Sequence, residues 1–412
     1  MKVLHINCSD MGSTGKIIRE ISKTLATIDG ESVLCNPSKA HKNITDGLKI
    51  YKTSFPKEQG AYKRVCYFTG YRYGFAPVST YRIIRIIKKE KPDVVHIHSA
   101  NCYIVNLYRL FGFLNKHKYP LVVTNHAEFF YTGNCPHARE CMRWLKGCGN
   151  CPDLFDATHS VLRDTSHKAW IRMCECMHSA DHIRVVSVSP WVFGRSSMSP
   201  IMENVPQRTV LNGVDTATFN IGNNDYVPKH LKTVLFVTAG FSENDYSEKG
   251  GGYIVDLAKR LKNDRVKIVV IGSTQDGGEL PDNVELLGRI DNQQELAERY
   301  RMADLSVIVS KRETFSMPVA ESLCCGTPIV GFKAGGPESI SIDNYTEFVG
   351  FGDLDGLENI MKGKWLNFKT REISKKISDE AVKKYGSERM AKEYISLYEE
   401  LIDEKNRHSD LS

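Results

Sequence analysis

The fold is decided by one stretch, SKRETFSMPVAESLCCGTP, at Ser310–Pro328. Pro318 suits the first turn of a helix, where its fixed φ and missing N–H cost little, and Gly326 suits the C-terminal end of that helix. A short apolar run follows directly. The stretch therefore predicts a loop, a helix over Val319–Cys325 and a strand over Pro328–Phe332, which together form one unit of an α/β domain.

The same alternation of short β-branched runs and longer amphipathic stretches continues in both directions along the chain. Several of the runs are apolar almost throughout, which is typical of parallel strands covered on both faces. We predict further strands at Lys2–Ile6, Val94–His98, Leu121–Asn125, Ile183–Ser187, Thr209–Leu211, Thr233–Thr238, Lys267–Ile271, Val284–Leu287, Leu305–Val309 and Glu347–Phe351. We predict further helices at Gly15–Ala26, Val78–Glu90, Asn101–Lys116, Leu162–Ser179, Gly251–Lys262, Asn292–Met302 and Ser387–Asp403.

This alternation lies on both sides of a segment of turn composition, Asn220–Asp225. It indicates an α/β protein with two doubly wound, Rossmann-like domains that face each other across a cleft. We expect a first domain over residues 1–219, a second over 220–385, and a C-terminal helix over 386–412 that returns to the first domain.

Composition excludes several classes of protein. The chain has 412 residues, of which 41% are hydrophobic and 25% charged, with 31 Gly and 15 Pro, so collagen, coiled coils, mini-proteins and disordered tails are ruled out. The N-terminal residues suit a strand better than a signal peptide, and no apolar run approaches the roughly 18 residues that span a bilayer. We expect a cytosolic protein whose 12 cysteines are reduced.

The charge is divided unevenly along the chain. The first 200 residues hold 28 Lys and Arg against 15 Asp and Glu, whereas the remainder holds 27 against 34. A basic first half suggests an anionic partner, and charge alone leaves open nucleic acid, a membrane surface or a phosphorylated substrate.

Two carboxylates flank the helix of the opening stretch. Glu313 lies in the loop before the helix and Glu321 in its first turns. The free backbone N–H groups at the helix start suit a diphosphate, and the carboxylates would accept hydrogen bonds from hydroxyls on either side of it. A nucleotide sugar has that pattern. The alternative, two solvated surface carboxylates, does not explain the prolines and glycine around them.

With these residues the chain resembles glycosyltransferase family 4, the retaining family with the GT-B fold. Glu313 and Glu321 match the two family glutamates, and Phe315–Pro318 is similar to the Phe-Gly-Met-Pro signature, with Ser316 in place of the glycine. The segment Asn212–Asp215 resembles the family's Asn-Gly-Val-Asp, and Asp93–His98 resembles a strand of its first domain.

The resemblance implies roles for these residues. Glu313 would hold hydroxyls of the donor sugar, Glu321 the ribose, and Lys249 the departing diphosphate. The family usually carries a Gly-Arg pair shortly before this lysine, but here Gly240 is followed by phenylalanine. Either Lys311 or Arg312 replaces that arginine, or the donor binds differently. For Lys249 the competing interpretation is an ordinary surface lysine.

In the first domain the resemblance points to the turn after the first strand and to His126, which matches the histidine that contacts donor and reaction centre. The catalytic residues would be His126, Lys249 and Glu313. The donor-binding residues would be Gly12, Ser13, Gly15, Gly240, Lys249, Arg289, Ile290, Glu313, Phe315, Ser316, Met317 and Glu321. The family reacts on one face of the sugar, so no carboxylate nucleophile, metal or other cofactor is required. A plain βα turn and a satisfied core histidine are the alternatives.

Four cysteines crowd one loop over residues 135–152: Cys135, Cys141, Cys148 and Cys151. Four thiolates would suit a structural zinc ion, although their spacing is less regular than that of paired Cys-x2-Cys knuckles. Reduced packing cysteines and disulfides formed during handling are the alternatives.

Basic and aromatic residues interleave between Tyr62 and Lys89. They suit an anionic membrane surface near a lipid-linked acceptor, or equally a core helix with a basic outer face. We expect a retaining transferase that moves a sugar from a nucleotide-diphosphate sugar to a glycan or lipid-linked acceptor for bacterial surface polysaccharide, at the inner face of the plasma membrane. A GT-B sugar-nucleotide epimerase or hydrolase is the alternative. A zinc-containing nucleic-acid-binding protein is disfavoured because it leaves Glu313 and Glu321 unexplained, so we expect no nucleic acid partner.

Overall fold

The computed structural model describes residues 1–37, 47–101, 103–222, 226–274 and 279–410. It divides into two compact units, one of Met1–Val210 with Met390–Ser412 and the other of Leu211–Arg389. Of the turn-rich segment near residue 220, residues 223–225 lie outside the described parts.

Unit 1 is built on a sheet of seven strands in the order β3-β2-β1-β4-β5-β6-β7, and every neighbouring pair is parallel. The strands are β1 (Lys2–Ile6), β2 (Glu31–Asn36), β3 (Lys49–Lys52), β4 (Val94–Ile97), β5 (Leu121–Asn125), β6 (Ile183–Ser187) and β7 (Gln207–Thr209). The helices are α1 (Gly12–Ala26), α2 (Pro56–Thr69), α3 (Pro77–Glu90), α4 (Leu107–Lys116), α5 (Phe129–Thr132), α6 (Leu154–Thr158), α7 (Ser166–His178) and α8 (Pro190–Ser197), with 3-10 turns at Arg143–Lys146 and Pro200–Met202.

Unit 2 has a parallel sheet of six strands in the order β10-β9-β8-β11-β12-β13. The strands are β8 (Lys232–Phe241), β9 (Val266–Thr274), β10 (Val284–Gly288), β11 (Leu305–Ile308), β12 (Ile329–Phe332) and β13 (Thr346–Val349). The helices are α9 (Gly251–Arg260), α10 (Gln293–Met302), α11 (Met317–Cys324), α12 (Gly336–Ile340), α13 (Leu354–Gly363) and α14 (Arg371–Tyr385), with 3-10 turns at Asp343–Tyr345 and Trp365–Asn367. The last helix, α15 (Ser387–Asp410), begins in unit 2 and continues into unit 1.

Helix α15 leaves unit 2 and completes unit 1, as the sequence predicts. From Met390 onward its apolar face enters the core beneath the first sheet, where Tyr394 and Tyr398 are fully buried with Val3 of β1 and Val122 of β5. Each sheet therefore has an apolar interior and helices that follow its strands, so both units are Rossmann-like.

Most strands lie where the sequence predicts them, and the differences have local causes. The predicted helix over Asn101–Lys116 begins only at Leu107, because the Asn106 side chain accepts the Arg109 N–H and caps the helix there. Helix α1 begins three residues before the predicted Gly15, and β7 lies two residues before the predicted Thr209–Leu211.

Strands β2 and β3 and helices α2, α5, α6, α8, α12, α13 and α14 have no counterpart among the predictions. Strand β3 is a four-residue edge strand with lysines at both ends, and those ends are exposed. Such a short, polar edge carries too weak a hydrophobic pattern to be recognised from sequence. No helix in the described parts of the chain is long and apolar enough to cross a membrane.

Candidate active site

Lys249 and Glu313, two residues predicted to act on the donor, are in direct contact. The Lys249 Nζ atom lies 2.7 Å from Glu313 Oε1, and both side chains are partly exposed. Lys249 follows strand β8 and Glu313 follows strand β11, and these strands are neighbours in the sheet. Because the carboxyl ends of parallel strands meet at one edge, distant parts of the sequence converge there.

The loop that carries Lys249 is organised by Asp245. Its carboxylate accepts the backbone N–H groups of Ser247, Glu248, Lys249 and Gly250 at 2.8, 2.9, 2.7 and 3.2 Å. Burial disfavours the charged carboxylate, but these backbone donors outweigh burial and lower the pKa of Asp245 to about 2. The loop is therefore ordered in part by a carboxylate that is ionised at physiological pH.

Glycines allow this loop to approach its neighbours closely. Gly250 has a φ of +78°, and a Cβ there would lie 2.4 Å from the Val309 carbonyl oxygen. A Cβ on Gly251 would lie 2.1 Å from the Ser242 carbonyl oxygen. The Lys311 N–H donates to the Glu248 carbonyl at 3.0 Å, which joins the loops after β8 and β11. No larger residue fits at either glycine without moving the lysine.

The loop after β12 locks the backbone of Glu313. The Glu313 N–H donates to the Ala334 carbonyl at 3.0 Å, and the Gly336 N–H donates to the Glu313 carbonyl at 2.8 Å. A Cβ on Gly336 would lie 2.6 Å from the Phe315 nitrogen. The Glu338 carboxylate accepts the N–H groups of Ala334 and Gly335, so three loops form one rigid cradle.

Helix α11 begins inside this cradle. Phe315 is buried in front of it, Pro318 occupies its first turn, and Met317 is partly buried. Ser316, which stands where the family signature has glycine, adopts a φ of +82° that favours glycine. Its hydroxyl is buried with no hydrogen-bond partner.

Glu321 lies on α11 and is 8% exposed. Its carboxylate accepts the Tyr300 hydroxyl of helix α10 at 3.2 Å. Burial, together with the Glu321 charge, raises the pKa of Tyr300 well above its ordinary range, so the phenol keeps its proton. The interaction holds the carboxylate in one orientation.

The other donor residues predicted for unit 2 lie at the ends of neighbouring strands. Gly240 is part of β8, where the pairing with β9 shifts register, and not of the loop beyond it. Arg289 follows β10, is exposed and pairs with Asp291 at 2.7 Å, while Ile290 is half-buried. The Lys311 ammonium lies over the Phe351 ring, 5.8 Å from its centroid.

In unit 1 the loop after β1 forms a tight turn into α1. Gly12 and Ser13 are exposed at the start of the helix, and Gly12 has a φ of +74°. A Cβ on Gly15 would lie 2.4 Å from the Asp10 carbonyl oxygen. Asn7 holds the turn by donating to the Ser9 carbonyl at 2.6 Å and the Thr14 hydroxyl at 2.9 Å.

His126 follows β5 directly and is partly exposed, and it lies at the end of a chain of imidazoles whose other two members, His98 and His5, are buried. Its Nε2 lies 3.2 Å from Nδ1 of His98, and Nε2 of His98 lies 3.1 Å from Nδ1 of His5. Burial lowers the pKa of both His5 and His126 to about 3 and that of His98 well below its ordinary range. The three rings are therefore neutral at physiological pH.

A fourth histidine, His96, lies against this chain. Ligand atoms of His5, His96 and His98 approach within 4.8 Å of one another, a spacing that also suits a metal ion. The nitrogens of His96 are already bonded to the hydroxyls of Tyr398 at 2.7 Å and Thr124 at 2.8 Å. We therefore interpret the cluster as a hydrogen-bond network.

The cysteine loop shows free thiols rather than a formed metal centre. Cys135, Cys141, Cys148 and Cys151 are all partly exposed and unbridged. A tetrahedral zinc site needs sulfurs about 3.8 Å apart. The loop contributes no group of three ligands within 4.8 Å among the described residues. The present arrangement does not fit a bound zinc ion.

Several groups at this site escape the sequence-based reasoning. His5 and His98 face the same side of neighbouring strands, which the His-x-His spacing after Asp93 hints at. Asp245, four residues before Lys249, and Glu338, beyond the glycine pair, act through backbone N–H groups. Asp245 and Glu338 could have been found from their position, because each is an acidic residue within five positions of paired glycines.

Comparisons with known proteins bear on the family and the fold of the chain. Residues 49–217 match the family model described as Glycosyltransferase Family 4, and residues 229–356 match the model described as Glycosyl transferases group 1. A relative from Klebsiella pneumoniae, an uncharacterized 41.2 kDa protein in the cps region, is 23% identical over 77% of this chain and 81% of its own length.

A second relative, N-acetyl-alpha-D-glucosaminyl L-malate synthase of Bacillus anthracis, is 28% identical over 31% of this chain, and the match spans only about a third of that enzyme, 33%. Among solved structures, Anabaena HepE in complex with UDP and glucose superimposes with a TM-score of 0.64, covering 96% of this chain and 98% of that chain at 14% identity. Such identity bears on the fold alone.

The two Rossmann-like units, together with the matches to these two models, define a glycosyltransferase of the GT-B fold. Within that class the chain carries a glycosyltransferase family 4 domain at residues 49–217 and a glycosyl transferases group 1 domain at residues 229–356.

Proposed function

We propose that this protein is a retaining glycosyltransferase that moves a sugar from a nucleotide-diphosphate sugar to a glycan or lipid-linked acceptor in bacterial surface polysaccharide biosynthesis. The observation that carries the proposal is the contact of Lys249 with Glu313 at the start of α11. The Klebsiella relative of the cps region supports the polysaccharide role.

The contact suits a diphosphate sugar in particular. An ammonium carries three N–H donors, so Lys249 can keep its bond to Glu313 and donate to a phosphate oxygen at the same time. The N–H groups at the start of α11 supply further donors for the diphosphate. Glu313 then presents its second oxygen to sugar hydroxyls, and Glu321, steadied by Tyr300, takes the ribose.

Catalysis follows from stabilising the leaving diphosphate. As the bond between the sugar and the phosphate oxygen breaks, negative charge grows on that oxygen, and Lys249 together with the α11 amides neutralises it. The acceptor oxygen forms its bond to the same anomeric carbon while its proton passes to the leaving phosphate. His126 contacts the donor and reaction centre, as the family resemblance implies. The step requires no metal ion.

A panel of nucleotide sugars tests this function. We expect one of them to raise the melting temperature of the full chain and to serve as donor, with the anomeric configuration retained in the product by NMR and with activity unaffected by EDTA. Inverted product contradicts the retaining mechanism. Release of free sugar or of an epimer, with no transfer to any acceptor, favours the epimerase or hydrolase. Absence of binding by every nucleotide sugar contradicts the donor site.

We also propose that unit 1 meets an anionic membrane through an exposed apolar patch of Tyr67, Phe68, Phe155 and Leu162. Phe68 is 54% exposed and Leu162 69% exposed, and the Tyr67 ring contacts both Phe68 and Phe155. Lysine and arginine at positions 63 and 64 lie on the same helix, α2. Tyr62 and Tyr73, which the sequence groups with these residues, are buried and belong to the core.

Flotation with vesicles of phosphatidylglycerol and phosphatidylcholine tests this patch. We expect the full chain to float with the anionic vesicles and the double variant Tyr67→Ser/Phe68→Ser to remain in the soluble fraction. Ile28→Ser, at an exposed isoleucine elsewhere in unit 1, is the matched control and should float like the wild type. Equal flotation of the double variant contradicts the proposal.

We propose that the cysteine loop binds a structural zinc ion. Binding requires the four sulfurs to move closer together. Its support is the donor set alone, four thiols within one loop. Burial raises the pKa of Cys148 to about 12, so a bound cation would be needed to keep the thiolate. Protein purified under reducing conditions should contain one zinc per chain, lost in Cys148→Ser and kept in Cys174→Ser; absence of zinc contradicts it.

A further inference from the structure

In the imidazole chain of His5, His98 and His126, the position of the proton on each ring depends on the other two rings. A neutral imidazole offers one N–H donor and one bare nitrogen acceptor. His98 uses both nitrogens within the chain, one toward His5 and the other toward His126. Its two bonds must therefore run in the same direction, and the tautomers of all three rings are coupled.

Only two arrangements satisfy both hydrogen bonds. In the first, His5 donates from Nδ1 to His98, His98 donates from Nδ1 to His126, and His126 carries its own proton on Nδ1. In the second, every bond is reversed: His126 donates from Nε2, and the proton of His5 moves to Nε2.

The buried end of the chain decides between them. The Nε2 atom of His5 is buried with no hydrogen-bond partner, and His5 is fully buried. The second arrangement would leave an N–H donor without an acceptor at that point, whereas the first leaves only a bare acceptor nitrogen. Buried donors without partners are the rarer and more costly case. The first arrangement is therefore favoured.

We propose that His98 is a positioning residue for His126, and that His5 behind it selects the direction of the chain, so that His126 is held as the Nδ1-protonated tautomer with its Nε2 accepting from His98. This inference rests on the proposed function, because His126 matters for transfer only if the protein is a transferase. The tautomer itself is a property of unit 1 and is measurable without substrate.

Neutrality of the rings supports the proposal, because a doubly protonated His98 would have no acceptor nitrogen for His5. The rings of His98 and His126 are also nearly parallel, with an interplanar angle of 19° and centroids 5.5 Å apart. The chain therefore fixes both the proton and the plane of His126. Loss of the partner that orients a metal-ligating histidine typically costs about 10- to 100-fold in activity, and we expect an effect of that order for loss of His98.

Nitrogen-15 NMR of the histidine side chains, combined with kinetics on the full chain, tests the tautomer of His126 and its effect on transfer. The signals of His126 are assigned by comparison with the His126→Gln variant. In the wild type we expect a single tautomer of His126, protonated at Nδ1. In His98→Phe we expect a shift toward the Nε2 tautomer and a fall in kcat of about 10- to 100-fold with the KM for the nucleotide sugar unchanged. His5→Phe should give a mixture of tautomers.

His96→Gln is the matched control. His96 lies in β4, two residues before His98, and the two tilted rings have centroids 3.7 Å apart, but the nitrogens of His96 bond elsewhere. It should lose stability as His98→Phe does while keeping the His126 tautomer. His98→Phe with an unchanged tautomer, or wild-type His126 protonated at Nε2, overturns the inference. If His98→Phe fails to fold, the wild-type tautomer decides it. Absence of turnover with every donor contradicts the proposed function and leaves the tautomer test intact.

Discussion

The loop cradle of unit 2 and the histidine chain of unit 1 are built on opposite electrostatic principles. The cradle brings together ionised groups, Lys249, Glu313 and Asp245, on a partly exposed edge where glycines let the backbone approach closely. The chain of His5, His98 and His126 is neutral, with His5 and His98 buried and His126 partly exposed at its end.

Under the proposed function, the two regions take different parts of the transfer reaction. A departing diphosphate would need fixed charge, which a partly exposed edge tolerates at low desolvation cost. A group that contacts donor and reaction centre would need a defined proton and orientation, which a chain of neutral rings provides. Each region is therefore sensitive to a different kind of substitution: the cradle to loss of charge or of a glycine, and the chain to loss of a hydrogen-bond partner.

The largest expected effect is the loss of charge in the cradle. Lys249→Met and Glu313→Gln should each lower kcat by about 100- to 1,000-fold, because each removes a charged group from the leaving phosphate or the donor sugar. Steady-state kinetics measures this. Lys259→Met, at an exposed lysine of α9 that pairs with Asp256, is the control and should retain full activity. Near-normal turnover in Lys249→Met would refute the assignment of this residue.

The next effect is steric. Gly336→Ala should lower the free energy of unfolding of unit 2 by about 1 to 3 kcal/mol, since the added Cβ would lie 2.6 Å from the Phe315 nitrogen. Thermal or urea denaturation measures it. Gly363→Ala, at the end of α13 with nothing within 4 Å of its Cβ, should stabilise by up to about 1 kcal/mol. Equal behaviour of the two variants would show that the cradle is not tightly packed.

A smaller effect, an increase in stability, is expected from a substitution at Ser316. Ser316→Gly should raise the free energy of unfolding by about 0.5 to 1 kcal/mol, because the positive φ strains serine and suits glycine. Ser316→Ala keeps the strain and removes only the unpartnered hydroxyl, so its stability should fall below that of the glycine variant. A glycine variant less stable than the wild type would contradict the strain.

The smallest effect concerns acid stability. The folded-state pKa of Asp245, about 2, lies below its ordinary value of about 3.9. The carboxylate therefore stabilises the fold above about pH 4, and this stabilisation is lost as the pH falls toward 2. Asp245→Asn should flatten that part of the acid-unfolding curve by less than about 1 kcal/mol, since the group is partly exposed and solvent screens its interactions. Asp282→Asn, in an exposed pair with Lys262, should leave the curve unchanged.

Much of the α/β architecture was predictable because its signals are local. Pro318 and Gly326 bracket α11 in the structure as the sequence implies, and the apolar runs of β1, β5 and β6 match residue for residue. The return of α15 to unit 1 was also predictable and is confirmed. Strand β3 was not, since its stability comes from pairing at a sheet edge rather than from its own pattern.

In the candidate site, single residues could be predicted from their type and the motif around them, but the contacts between them could not. Lys249 and Glu313 are 64 positions apart, and their contact depends on the order of β8 and β11 in the sheet. The coupling of His5 to His98 depends on parallel register across 93 positions. Such pairings require the fold, because sequence patterns report neighbours along the chain and not across a sheet.

The central claim is that the cradle of unit 2 binds the diphosphate of a nucleotide sugar through Lys249. Calorimetric titration of the full chain with UDP, GDP, ADP, CDP and dTDP tests it most directly, with Lys249→Met and Lys259→Met beside the wild type. We expect at least one of the five nucleotides to bind the wild type and the Lys259→Met variant with equal affinity. The same nucleotide should bind the Lys249→Met variant at least about 10-fold more weakly. Equal affinity for Lys249→Met, or binding of none of the five, would contradict the claim.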